Sequence, residues 1–241
     1  MTHYLDWLPD VLRGAGVDTY VMPGAEQRSS RSDGLSVKGV VWHHTATGPN
    51  WQDGHVAFLL RDGRIDLAGP LAQVGIERDG TWVIVALGRA NHNGYGHWGN
   101  DSLGLEFYNS GVGEPWPDVQ VESGVRGTAA VLRHLGKPIS VVMGHRETDP
   151  RRKIDPAGLN MTTIRQRVDA AMRHKPQESD MHGTEIIAAY GEAGYLLATL
   201  HPDKLAQHWR DIRAWTHAIY AKPEPERAGG VAYVRALLGL A

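Results

Sequence analysis

Apolar and polar positions along the chain fall into two regimes. Up to about residue 172, short runs of strand character alternate with stretches at helical spacing. Val37 to Trp42 is a compact apolar run ending at His43-His44-Thr45, the pattern of a buried strand. Residues 71–92 alternate around Glu77-Arg78-Asp79-Gly80, which predicts two strands joined by a turn. Leu103 to Tyr108 and Pro138 to Met143 read as further strands, whereas residues 119–135, stopped by Gly136, and Met161 to Met172 read as helices. The opening residues hold a short amphipathic stretch (Tyr4, Leu5, Leu8, Val11, Leu12) stopped by Gly14, then turn polar around Gln27 to Gly34. Strands interleaved with helices predict an α/β domain with one principal sheet.

Beyond His174-Lys175-Pro176-Gln177-Glu178-Ser179-Asp180 the strand signals stop. Ile186, Ile187, Tyr190, Leu196, Leu197 and then Leu205, Trp209, Ile212, Trp215, Ile219 recur at helical spacing, and Val231 to Leu238 predicts a last short helix. The expected organisation is a domain over residues 1–174 and a small all-α module over residues 175–241. With 7 basic and 8 acidic residues that module is nearly neutral, and its Leu/Trp/Ile stripe reads as the core of a small bundle or a face docked on the first domain. A cell-wall targeting role is the sharper alternative for it.

Composition narrows the chemistry. The 241 residues carry 25 basic and 27 acidic side chains, so the basic surplus expected of a phosphate-neutralising nucleic-acid binder is missing. An apolar run of about 18 residues, as a membrane span needs, is also missing. Met1-Thr2-His3-Tyr4-Leu5-Asp6 has neither the basic start nor the apolar stretch of a secretory signal. With 0 cysteines, any metal has to be held by histidine and carboxylate, and 13 histidines are available. The 19 arginines against 6 lysines point to a GC-rich coding sequence rather than to a function.

Three segments combine metal-capable residues with strand ends. In Val40-Val41-Trp42-His43-His44 the two histidines point to opposite faces, so only one can serve a given site. In Leu103-Gly104-Leu105-Glu106-Phe107 the apolar residues share one face, and Glu106 emerges on the other beside Gly104. A partly desolvated carboxylate there suits a general base. In the third segment His145 closes a strand, and a loop returns with Lys153 and Asp155, two apart and able to reach one site together. His43, His145 and Asp155 make a set of two histidines and one carboxylate, which leaves the fourth position of a tetrahedral zinc open, as catalytic sites do. Zinc polarises a carbonyl and activates water, Glu106 would move the proton, and Lys153 would stabilise an oxyanion, together describing amide hydrolysis. Spacing alone leaves other readings open. A histidine at a strand end is commonly a hydrogen-bonded structural residue, Glu106 could be solvated, and Arg151-Arg152-Lys153 could be a basic turn. His145-Arg146-Glu147 lacks the second histidine of a zinc-protease helix, and Walker and Rossmann glycine patterns are absent.

Taken in order, these segments resemble the type-2 N-acetylmuramoyl-L-alanine amidases, the zinc amidase family that includes phage amidases and peptidoglycan recognition proteins. The likeness runs from about residue 37 to 172. It rests on His43-His44-Thr45-Ala46, the Leu71 to Ile84 strand-turn-strand, Asn91-His92-Asn93-Gly94, Leu103-Gly104-Leu105-Glu106, and Gly144-His145 through Lys153-Ile154-Asp155-Pro156. The resemblance implies a central mixed β-sheet flanked by helices. It also implies one catalytic zinc held by His43, His145 and Asp155, the last a position where many relatives use cysteine. Glu106 falls at the family's catalytic carboxylate and Lys153 at its basic residue.

The implied reaction is hydrolysis of the amide between N-acetylmuramic acid and L-alanine in peptidoglycan. His44, His92, Asn93 and Tyr95 are expected at substrate, although His44 could instead pack under the sheet and the others could only shape their loop. Trp98 and Trp116 are candidate sugar platforms. The layout suggests a phage endolysin, made in the host cytoplasm without a signal peptide and reaching the wall after holin-dependent release. A cytoplasmic muropeptide-recycling amidase and a non-catalytic peptidoglycan binder are the alternatives.

Overall fold

The protein is described here by a computed structural model, which covers residues 5–32 and 34–173. The helical module expected over residues 175–241 lies outside the described residues. In chain order the elements begin with α1 (Leu8–Arg13), β1 (Thr19–Val21), β2 (Val40–His44) and α2 (Asp53–Asp62). Two short strands, β3 (Gly63–Arg64) and β4 (Leu67–Ala68), pair antiparallel beside α2. Then come β5 (Val74–Ile76), β6 (Trp82–Ile84), β7 (Leu103–Phe107), α3 (Asp118–Leu135), β8 (Val142–Gly144), α4 (His145–Thr148) and α5 (Met161–Arg173).

Six strands form one sheet in the order β1-β6-β5-β7-β2-β8. The β5–β6 pair is the antiparallel hairpin that the 71–92 pattern predicts, and all other neighbours run parallel. The sheet is therefore mixed, with helices on its faces. One face carries Val40, Trp42, Val74, Ile76, Trp82, Ile84, Leu103, Leu105 and Phe107, which pack with apolar residues of α1, α3 and α5. On the other face Val56, Ala57 and Leu60 of α2 cover Val83, Val85 and Tyr108. The polar residues His43 of β2 and Glu106 of β7 emerge on this same side, opposite Trp42 and Leu105.

The long helix α3 shows how closely helix and sheet approach. It ends where the sequence predicts, at Gly136, whose φ of 62° is left-handed. There the N–H of Lys137 donates to the Leu132 carbonyl (3.0 Å), closing the last turn. Midway, a Cβ on Gly127 would lie 2.2 Å from the buried ring of Trp82, and one on Gly124 would lie 2.6 Å from Phe107. Trp82 also donates Nε1–H to Ser123 Oγ (3.1 Å), and Trp42 donates to Thr128 Oγ1 (3.2 Å), so neither ring is free to retreat.

Two effects then oppose each other in Gly127→Ala. Helix propensity favours alanine by about 1 kcal/mol. Overpacking against a fixed core ring costs about 1–3 kcal/mol. At 2.2 Å the second effect dominates. Urea unfolding is expected to show Gly127→Ala as the less stable protein, and a gain in stability would mean that Trp82 can move.

Candidate metal centre and active site

The site lies where three adjacent parallel strands end. Along β7-β2-β8 the sheet brings Glu106, His43 and His145 side by side. Glu106 and His43 are direct register partners, and His145 is the residue after Gly144, which closes β8. Carboxyl ends of parallel strands are where α/β sheets place their ligands, because the connecting loops diverge there. Period-2 alternation decides which side chains enter the site. Trp42 goes into the core that α1, α3 and α5 cover, so His43 faces the opposite side.

The return loop is tied down by its backbone. Arg146 N–H donates to the Asp155 carbonyl (2.8 Å), and the Arg146 guanidinium donates to the Pro156 and Leu159 carbonyls. The turn carrying His145 is fastened from below: Glu147 accepts the Gly144 N–H (2.9 Å) and is clamped by Arg165 of α5 at 2.9 Å and 3.1 Å. Burial opposes the ionisation of Glu147, but these hydrogen bonds outweigh it and hold its carboxyl below the usual range. Arg146, Glu147 and Arg165 were not singled out by the sequence reading. In sequence they look like ordinary surface charges, and only the fold gives them carbonyl and carboxylate partners.

Three ligand-capable atoms converge at the centre. His43 Nδ1 lies 2.9 Å from His145 Nδ1 and 3.1 Å from Asp155 Oδ2, and His145 Nδ1 lies 2.9 Å from the same oxygen. No other group of three such residues among those described could hold a metal ion. Around tetrahedral zinc, ligands at about 2.0–2.1 Å sit roughly 3.3 Å from one another, so a few tenths of an ångström of opening admits the ion. Two imidazole nitrogens with one carboxylate oxygen are also a donor set that zinc takes readily. The residues present therefore fit a zinc ion. Burial pushes the His43 imidazole down to about 4, which keeps it neutral and able to donate a lone pair. Burial works against Asp155, yet the imidazoles of His145 and His43 that face its oxygen overcome it and hold its carboxyl well below the usual carboxylate range.

Glu106 stands beside this cluster, with Oε1 4.0 Å from His43 Nδ1. Its Oε2 is buried and has no hydrogen-bond partner among the described residues. Burial, and next the charge of Asp155, push its carboxyl well above the usual range, while Lys153 and Arg64 pull it back. A carboxylate so placed has raised proton affinity and a free oxygen, as a proton shuttle requires. Lys153 is exposed, and its charge is felt at both Glu106 and His43. Thus His43, His145, Asp155, Glu106 and Lys153, predicted from distant segments, come together at one place.

The expected substrate contacts fare differently. His44 points to the face opposite His43. Its Nδ1 accepts the Ala157 N–H (3.1 Å), and a Cβ on Gly111 would lie 2.2 Å from its ring, so it wedges two loops together. Asn93 is buried: its Nδ2 donates to the His97 and Gly99 carbonyls (2.8 Å and 3.1 Å), and its Oδ1 accepts Thr148 Oγ1–H (2.8 Å). It shapes its loop and has no free group for a ligand. His92 is also buried, directly behind His43. Of the four, Tyr95 is open to solvent, 85% exposed, with the Arg152 guanidinium 4.2 Å from its ring centroid. Trp116 packs edge-on against Phe107 and donates Nε1–H to the Ala157 carbonyl (2.9 Å), while Trp98 lies over Gly39.

Comparison with known proteins follows from this geometry. Among solved structures, similar folds include the Ph2119 endolysin from the Thermus scotoductus MAT2119 bacteriophage, 17% identical, covering 62% of this chain and 98% of that one with a TM-score of 0.49. A selenomethionine derivative of AmpD is 24% identical over 64% of this chain and 97% of its own, TM-score 0.49. The endolysin amidase LysCS from Clostridium intestinale URNW is 16% identical over 56% and 86%, TM-score 0.45. A comparison with curated protein sequences finds no match. Residues 33–158, more than half of the chain and every residue of the cluster described above, match the profile of the N-acetylmuramoyl-L-alanine amidases. The chain belongs to the N-acetylmuramoyl-L-alanine amidase family.

Proposed function

We propose that this amidase is zinc-dependent, that Glu106 and Lys153 carry its proton and charge transfers, and that it works as a phage endolysin on the host wall. The observation that carries the mechanism is the three-ligand cluster of His43, His145 and Asp155 with an unpartnered buried carboxylate oxygen next to it. Those three residues would hold a zinc ion, which would supply Lewis acidity to the scissile carbonyl and to the attacking water near neutral pH. Glu106 takes a proton from the attacking water as its oxygen bonds to the lactyl carbonyl carbon. It then gives that proton to the nitrogen of L-alanine as the C–N bond breaks. The products are the free carboxylate of N-acetylmuramic acid and a stem peptide with a free amino terminus. Lys153 offsets the negative charge that builds on the carbonyl oxygen.

The endolysin reading is supported by family membership and by the residues beyond the amidase match, whose apolar positions recur at helical spacing. In this reading residues 175–241 bring the enzyme to the wall, and action follows holin-dependent release from the host cytoplasm. Purified sacculi digested by the full chain are expected to release stem peptides beginning with L-alanine, identified by mass spectrometry. Cleavage of soluble anhydro-muropeptides with sacculi left intact would overturn the endolysin role in favour of recycling. No cleavage of either substrate would leave a binding protein with the amidase fold.

A further inference from the structure

His92 lies outside the proposed ligand set, yet it is within hydrogen-bond reach of His43. Its Nε2 faces the Ser102 carbonyl at 3.0 Å, and its Nδ1 faces His43 Nε2 at 3.0 Å. A carbonyl oxygen only accepts, so His92 Nε2 carries the hydrogen. A second proton on this buried ring would be a charge facing another imidazole and a neutral carbonyl, an arrangement that burial disfavours. Nδ1 of His92 is then a lone pair, and His43 Nε2 must donate to it. That leaves His43 Nδ1 unprotonated, and it is Nδ1 that points at His145 and Asp155.

We propose that His92 is a positioning residue: with the Ser102 carbonyl it forms a relay that fixes the tautomer and ring orientation of His43 for the metal. Metal-bound histidines ordinarily pass their second N–H to a carboxylate, carbonyl or water. Here a second histidine is interposed, with its ring at 88° to the first.

The surroundings are cut to fit this ring. A Cβ on Gly104 would lie 2.6 Å from His92 Cγ, so only glycine in β7 leaves room for it. Gly104 N–H donates to Gln73 Oε1 (2.8 Å), and Gln73 Nε2 reaches the Ser102 carbonyl at 3.5 Å, which holds the far end of the relay in place. The glycine beside Glu106 thus makes space for the histidine behind His43.

The proposal rests on the reading of His43, His145 and Asp155 as a zinc site, and the tests separate the two. Zinc affinity of the full chain, measured by competition with a chromophoric chelator, is expected to fall about 10–100-fold in His92→Phe, which keeps the volume and removes the acceptor. His92→Asn, whose amide oxygen can take the place of Nδ1, is expected to recover most of that loss. Two-bond ¹H–¹⁵N spectra of the unaltered protein need no variant to fold, and are expected to show both His43 and His92 protonated at Nε2. Unchanged zinc affinity in a folded His92→Phe, or a His92 ring protonated at Nδ1, would overturn the relay and leave the zinc site standing. An unaltered chain that binds no zinc would overturn the site itself.

Discussion

Replacing Glu106 by glutamine is expected to lower the rate of stem-peptide release by about 10²–10⁴-fold, the range for loss of a general acid–base. The substitution keeps the shape and removes only the ability to accept and return a proton. It should leave zinc content unchanged, because Glu106 is not part of the converging set of His43, His145 and Asp155, its Oε1 lying 4.0 Å from His43 Nδ1. Stability should move the other way from activity. The carboxyl is buried, one oxygen lacks a partner, and the Asp155 carboxylate lies close, so ionised Glu106 is held at a cost that a neutral amide does not carry. A more stable, zinc-replete and inactive Glu106→Gln protein is the predicted combination, read from digestion rates, metal analysis and urea unfolding. A variant that cleaved sacculi at the normal rate would remove Glu106 from the mechanism even though the fold stands.

Loss of the metal is expected to abolish activity outright. Asp155 supplies the one negative charge among the three proposed ligands, and its oxygen faces both imidazole nitrogens. Asp155→Asn keeps an oxygen in place but leaves a neutral donor set. Its zinc affinity should drop further than in His92→Phe, because the lost group is a ligand rather than a ligand's support. Chelation of the unaltered enzyme should stop stem-peptide release, and added zinc should restore it. In Asp155→Asn, zinc at the same concentration should fail to restore it. Full activity after exhaustive chelation, with metal analysis confirming removal, would refute a metal-dependent mechanism.

Much of this site was readable in the chain itself. Strand alternation requires Trp42 and His43 to face opposite sides, and likewise Leu105 and Glu106. Once the apolar partner of each pair is assigned to the core, the polar one is left for a site. His145 and Asp155 were marked by their positions around a strand end and a returning loop, and the ordered set of motifs pointed to the family that residues 33–158 then match. The helix stop at Gly136 and the β5–β6 hairpin were legible for the same reason, because local backbone chemistry decides them. By contrast β1 is only three residues long, and α2 opens with Asp53-Gly54-His55, so neither carries enough local pattern to stand out.

The loop from Asn91 to Asn100 shows what local pattern cannot supply. Its polar, glycine-rich composition reads as a surface that touches substrate, and Tyr95 is indeed exposed. His92 and Asn93 nevertheless turn inward, because Gly104 leaves a hole beside His43 and because the Asn93 amide satisfies loop carbonyls that would otherwise be buried unpaired. Sequence alone determined the residue types of the site, the strand faces they occupy and the chemistry they can perform, since those follow from side-chain identity and period-2 geometry. Which strands lie next to each other, that His43 pairs with Glu106, and that His92 is buried behind His43 were decided only by the tertiary structure. Those are contacts between segments tens of residues apart, and they form only when the sheet and its helices pack together.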